Sequence, residues 1–171
     1  MDTASANSII GGWLFGDSQS DGSDVVAFMK DGTHYLFEHT ENVSSDPEGF
    51  ERGTYTVNSE SGVFAASALT DTNGGAGLSH PMGITMLVVV RDALTYSESE
   101  GSNALTRIKG GESPVVGVWQ YGEDRAIDSR ARVFLPNGIY FEAQEFGQQL
   151  GMDKGGYIWD QETGDEPSSG I

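Results

Sequence analysis

His39 and Glu51 have the residue types of an acid–base pair. One is an imidazole that titrates near neutrality, the other a carboxylate that could orient it and raise its proton affinity. They flank a long loop between two β-patterned runs, residues 33–40 and 50–58. A hairpin that sets Tyr35 opposite Tyr55 and Phe37 opposite Gly53 also sets His39 opposite Glu51. The chemistry would be proton transfer on a hydrophobic substrate, with Tyr35 and Tyr55 one step deeper as hydrogen-bond donors. The plainer reading is two solvated residues at the ends of a loop.

A second chemistry is cation binding. The stretch DSQSDGSD (17–24) spaces Asp17, Asp21 and Asp24 around a glycine, and DTNGG (71–75) offers Asp71, Thr72 and Asn73. Oxygen-rich loops of this kind suit calcium, although neither has EF-hand spacing and Asx-rich turns explain both. No other cofactor is expected. G-x-S-x-G, P-loop, dinucleotide and H-E-x-x-H signatures are missing from the sequence. Histidines 34, 39 and 80 are scattered, and His34 and His39 have opposite strand parity, so no zinc site is read.

Charge narrows the partners. The 171 residues include 26 acidic and 9 basic side chains, a net charge of −17. Such a surface repels nucleic acid and anionic lipid, and its dispersed acids read as a solubilising coat. The chain has no cysteine, which removes disulfides, thiolate zinc sites and cysteine nucleophiles together. The longest apolar run, ITMLVVV (84–90), is far short of the ~18–20 residues of a membrane span and reads as a buried strand. The opening MDTASANS is polar and reads as a disordered segment without a secretory leader.

The elements that must position these residues are strands. Twenty-four glycines, with DG, NG and GG steps between short apolar runs, are turn punctuation. The expected strands are 9–15, 24–30, 33–40, 50–58, 63–70, 83–92, 94–98 and 103–109, then 115–121, 130–135, 138–145 and 153–159. FEAQEFGQQLG (141–151) could instead make one helical turn. The second set echoes the first. IIGGWLFGD (9–17) aligns with VVGVWQYGE (115–123), and residues 9–37 match 115–143 at an offset of 106. GFERGTYTVNSESG (49–62) then matches GMDKGGYIWDQETG (151–164) at an offset of 102. This long-period self-similarity implies a complete meander over 9–109, a joint at 110–114, a partial second unit over 115–159 and a flexible tail over 160–171.

Alternation places Val25, Ala27, Met29, Thr33, Tyr35, Phe37, Gly53, Tyr55 and Val57 on one core-facing side. A partial unit leaves strand edges open. It could enlarge one sheet, dock on the first unit as a partial sandwich, or pair with a neighbouring molecule by strand exchange.

Gly11 and Trp13 on the first strand, with Arg107 on the last strand of the first unit, resemble the calycins: lipocalins, fatty-acid-binding proteins and avidins. The resemblance covers residues 9–109. It implies an antiparallel meander of about eight strands closed as a barrel, in which Trp13 seals the floor and Arg107 packs across its ring.

The fold expected is therefore all-β and antiparallel, a calycin-like barrel or barrel-like sandwich with a partial internal repeat. The leading function is a non-catalytic binding or assembly module of a secreted or cell-envelope protein, with a cytoplasmic home left open. It would hold a small apolar molecule among Trp13, Tyr35, Phe37, Tyr55 and Arg107, or pair with another copy of itself. The alternative is a small β-barrel enzyme using His39 and Glu51. A filled interior would favour assembly.

Overall fold

The structure, a computed structural model, describes residues 9–15, 24–39, 48–58, 60–74, 77–80, 85–98, 101–109, 113–121, 130–146 and 149–159. The expected leading segment 1–8 and tail 160–171 lie outside the described residues, as do Asp17 and Asp21.

Twelve strands occur among the described residues. They are β1 (Gly11–Phe15), β2 (Val25–Phe28), β3 (Thr33–Glu38), β4 (Gly49–Val57), β5 (Phe64–Asp71), β6 (Met86–Val90), β7 (Ala93–Glu98), β8 (Gly101–Arg107), β9 (Gly117–Tyr121), β10 (Arg130–Phe134), β11 (Ile139–Phe146) and β12 (Gln149–Gly156). The alternative helical turn over 141–151 is not formed among the described residues of that stretch. Tyr140 to Phe146 pair with Gln149 to Gly155 as an antiparallel hairpin.

The first eight strands form one curled antiparallel sheet in the order β5-β4-β3-β2-β1-β8-β7-β6. Its two edge strands meet at a single bridge, Val63–Met86. There the Phe64 N–H donates to the Thr85 carbonyl and the Leu87 N–H to the Gly62 carbonyl. The last four strands form a second sheet, β12-β11-β10-β9.

Turn chemistry sets the registers. At Asp31–Gly32 and Asn137–Gly138 both glycines have φ of 85°, a region that disfavours any side chain. The preceding Asp31 and Asn137 side chains accept the N–H of Thr33 and Ile139.

The first sheet buries both faces. Its concave side holds Trp13, Val26, Phe28, Leu36, Tyr55, Phe64, Leu87, Leu94 and Leu105. Phe28, Tyr55 and Phe64 fill the middle, with ring centres 5.0 to 6.3 Å apart. Its convex side, Leu14, Val25, Ala27, Met29, Tyr35, Phe37 and Phe50, packs on Ala131, Val133, Phe141 and Ala143 of the second sheet. Each of these large side chains contributes roughly 1.5–3 kcal/mol when fully buried. Arg52 of β4 and Glu145 of β11 pair across this interface at 2.7 Å.

Two sequence expectations are corrected here. The single core-facing set splits between two cores. Val25, Ala27, Met29, Tyr35 and Phe37 face the second sheet, whereas Tyr55 faces the concave side of the first. The β3–β4 register also differs by three residues: Tyr35 lies opposite Arg52, Phe37 opposite Phe50, and Leu36 opposite Glu51. A shift by an odd number of positions exchanges every side chain between faces. Both errors share a cause. Apolar residues occupy both faces of β2 and β3, so alternation could not tell inside from outside.

Candidate functional site

The three-residue shift puts Glu51 on the interior face and changes its partner. The pair is His34 with Glu51, both fully buried, with Nε2 and Oε1 2.8 Å apart. His34 lies opposite Gly53, where a Cβ would come within 2.6 Å of its ring, so the glycine makes room for the imidazole. The expected pairing of His39 with Glu51 is not formed. His39 instead meets Glu48 at 2.9 Å on the loop side.

Glu51 is held from three directions. Besides His34, its Oε1 accepts the Leu78 N–H at 3.1 Å. Its Oε2 accepts the Ser79 hydroxyl at 2.7 Å and the Ser79 N–H at 3.4 Å. Burial acts to raise the carboxyl's proton affinity, but the hydrogen bonds from His34 and Ser79 and the charge of His34 outweigh it. The net shift is downward, so Glu51 stays ionised. The carboxylate thereby fastens the β5–β6 connection to the end of the curled sheet, and Leu78 enters the interior cluster. Gly77, at φ of 145°, packs so closely on the Glu51 carboxylate that a Cβ would collide with it.

A second carboxylate stands alongside. Glu51 on β4 is directly opposite Asp71, the last residue of β5, just beyond a register shift at Arg52/Gly53. His80 Nε2 is 3.1 Å from Asp71 Oδ2 and 3.8 Å from Glu51 Oε2. Asn73 donates its N–H to Asp71 Oδ1 and its side-chain amide to Glu38. This end of the curled sheet thus collects a buried acid, a half-exposed acid and two imidazoles.

The remaining sequence candidates are dispersed. Trp13 is buried, donates its indole N–H to the Ile9 carbonyl at 2.7 Å, and lies 4.0 Å beneath the Arg107 guanidinium. Arg107 also donates to the Ile10 carbonyl at 3.0 Å. Tyr55 donates to the Met29 carbonyl at 2.7 Å, and burial together with the charge of Asp31 pushes its hydroxyl up to about 12. Tyr35 and Phe37 lie beneath the second sheet, so they do not join Trp13 and Tyr55 in one cavity. Asp24 accepts the His39 N–H at 3.2 Å, far along the chain from Asp71 and Asn73. Burial raises its carboxyl, opposed by the bond and charge of His39.

The contacts around the second G-x-W strand repeat those of the first. Trp119 donates to Val115, and Tyr157 to Leu135, as Trp13 does to Ile9 and Tyr55 to Met29. Tyr140 lies opposite Gly155 and donates to Asp153 at 2.9 Å, at the places of His34, Gly53 and Glu51. The outer face is nevertheless polar. Arg132 and Glu142 pair there at the positions aligned with Val26 and Leu36. Trp119 is 47% exposed, where Trp13 is fully buried.

Sequence reasoning missed His34, Ser79 and His80. The alignment held a signal for the first: His34 with Glu51 and Tyr140 with Asp153 are polar pairs at matched positions. Nothing in spacing alone brings Ser79 and His80 to β4. In comparisons with known proteins, the chain matches no family model, no curated protein and no solved structure.

Proposed function

We propose that the chain is a non-catalytic assembly module that adds a strand at the open edge of β9, the occupant being a strand from a second copy of the chain. The observation that carries this reading is the contrast between the two G-x-W strands. β1 is flanked on its second side by β8, whose Arg107 lies opposite Trp13 and covers it. β9 pairs with β10 alone among the described residues, and its Trp119 is half exposed. A strand with the chemistry of β8, bearing a cation at the position of Arg107, fits this edge. The chain itself contains that strand. The β6–β8 segment meets β5 at the Val63–Met86 bridge, so its exchange between copies breaks few sheet contacts on that side.

The filled interior supports assembly over carriage of a small apolar molecule. Phe28, Tyr55, Phe64 and Trp13 occupy the space such a ligand would take. The enzyme reading loses its geometry with the separation of His39 from Glu51. The G-x-W strand under a basic last strand supports calycin-like character for the barrel. The recurring Trp, Tyr and ring-over-glycine contacts support a second sheet that is an internal copy of β1–β4.

Light scattering across concentration and ionic strength tests the assembly. At a net charge of −17 the copies repel, so association should strengthen as salt screens them. Trp119→Ala should weaken it. A single monomeric mass at every concentration and salt level would refute the proposal.

A further inference from the structure

We propose that Glu51, Asp71 and His80 form a binding site for a borderline divalent cation of the zinc or cobalt kind, which staples the β5–β6 connection to the end of the curled sheet. One oxygen from each carboxylate and one imidazole nitrogen all lie within 4.8 Å of one another. Ligands at ~2.0–2.2 Å from one ion sit roughly 3–4 Å apart, so small side-chain adjustments bring all three into contact with it.

The backbone supplies an independent argument. Glu51 and Asp71 are directly opposite on adjacent strands. Two like charges in that relation destabilise a sheet, a cost that a cation held between them relieves. His80 already stands at the Asp71 carboxylate at 3.1 Å, where a metal ion takes the place of the shared proton. The outer shell is in place as well. His34 and Ser79 hold Glu51 by its two oxygens, as hydrogen-bonding partners commonly orient a ligating carboxylate. Beside Asp71, the fully buried Asn73 leaves its Oδ1 without a hydrogen-bond partner.

The donor set decides the class of ion. Calcium takes six to eight oxygens, and an imidazole is a poor member of that shell. Two carboxylates and one imidazole suit zinc and its neighbours, with water completing the coordination. This differs from the calcium expectation drawn from Asp-rich loops. It uses Asp71 but replaces the flanking loop oxygens with Glu51 from one strand and His80 from the far side of the connection. In a chain without cysteine, such an ion does the work of a cross-link between β4, β5 and residues 77–80.

The test is titration of chelator-treated full-length protein with zinc, followed by calorimetry, and with cobalt, followed by visible absorption. One equivalent should bind, with cobalt bands of a nitrogen–oxygen site and a melting temperature that rises with the logarithm of free zinc. His80→Ala and Asp71→Asn should each weaken binding at least tenfold while keeping the fold by circular dichroism. His39→Ala, outside the cluster, should leave binding unchanged. Three results would overturn the site: no saturable binding of either metal, binding that survives both ligand substitutions, or a preference for calcium.

Discussion

Replacing Glu51 with Gln tests whether this carboxylate fastens the β5–β6 connection to the curled sheet. The amide keeps the shape and removes the charge. Four hydrogen bonds now converge on the carboxylate, from His34, the Leu78 N–H, and the Ser79 N–H and hydroxyl. Gln has one acceptor oxygen, so its NH2 must face either the His34 and Leu78 side or the Ser79 side. At least one backbone N–H then meets another donor. An unsatisfied buried donor costs about 1–3 kcal/mol, and breaking one partner of a buried ion pair costs about 3–5 kcal/mol in all. For a chain of this length, that corresponds to a fall in melting temperature of roughly 6–20 °C.

Urea denaturation should report the loss, and pH should shape it. The folded carboxyl is held below its ordinary value of 4.5. Its stabilisation is therefore fully present above that value and fades as pH falls through the lower folded one. The gap between native protein and Glu51→Gln should be constant near neutrality and shrink in acid. Glu48→Gln, which removes the 48%-exposed partner of His39, should cost at most about 1 kcal/mol. A loss for Glu51→Gln no larger than for Glu48→Gln, or a gap indifferent to acid, would refute the reasoning.

Two further outcomes concern the packing. Arg52→Met should cost about 3–5 kcal/mol by removing the ion-pair partner of the buried Glu145 carboxylate, and adding Glu145→Leu should restore most of it, as a denaturation double-mutant cycle would show. Tyr55→Phe should cost only about 0.5–1.5 kcal/mol by thermal melting, because the Gly32 N–H still donates to the Met29 carbonyl that loses the hydroxyl.

Much of the architecture was legible in the residues. The glycine-marked turns located the strands, and DG and NG at matched places foretold the same backbone conformation at Gly32 and Gly138. The hairpin register was not legible. Phe28 and Phe37 are apolar on opposite faces because both faces of the first sheet are covered, which erases the alternation that fixes inside from outside. The contact between His39 and Glu51 failed to form for the same reason: a slip of three residues puts Leu36 opposite Glu51 and brings His34, two residues along the same face, to its carboxylate. His80 reaches Glu51 only through a connection whose path depends on Glu51 binding the Leu78 and Ser79 amides. That is a tertiary contact no local pattern encodes.

The two sheets also separate what draws the backbone's path from what chooses its medium. The indole and tyrosine hooks onto carbonyls, and the aromatic ring laid over a glycine, persist in both settings. Arg132 and Glu142, at the positions aligned with Val26 and Leu36, put an ion pair where the first sheet has apolar side chains, while those hooks are kept. A ribbon built this way can be re-sided by exchanging a few residues, so its shape and its wetness are free to diverge independently.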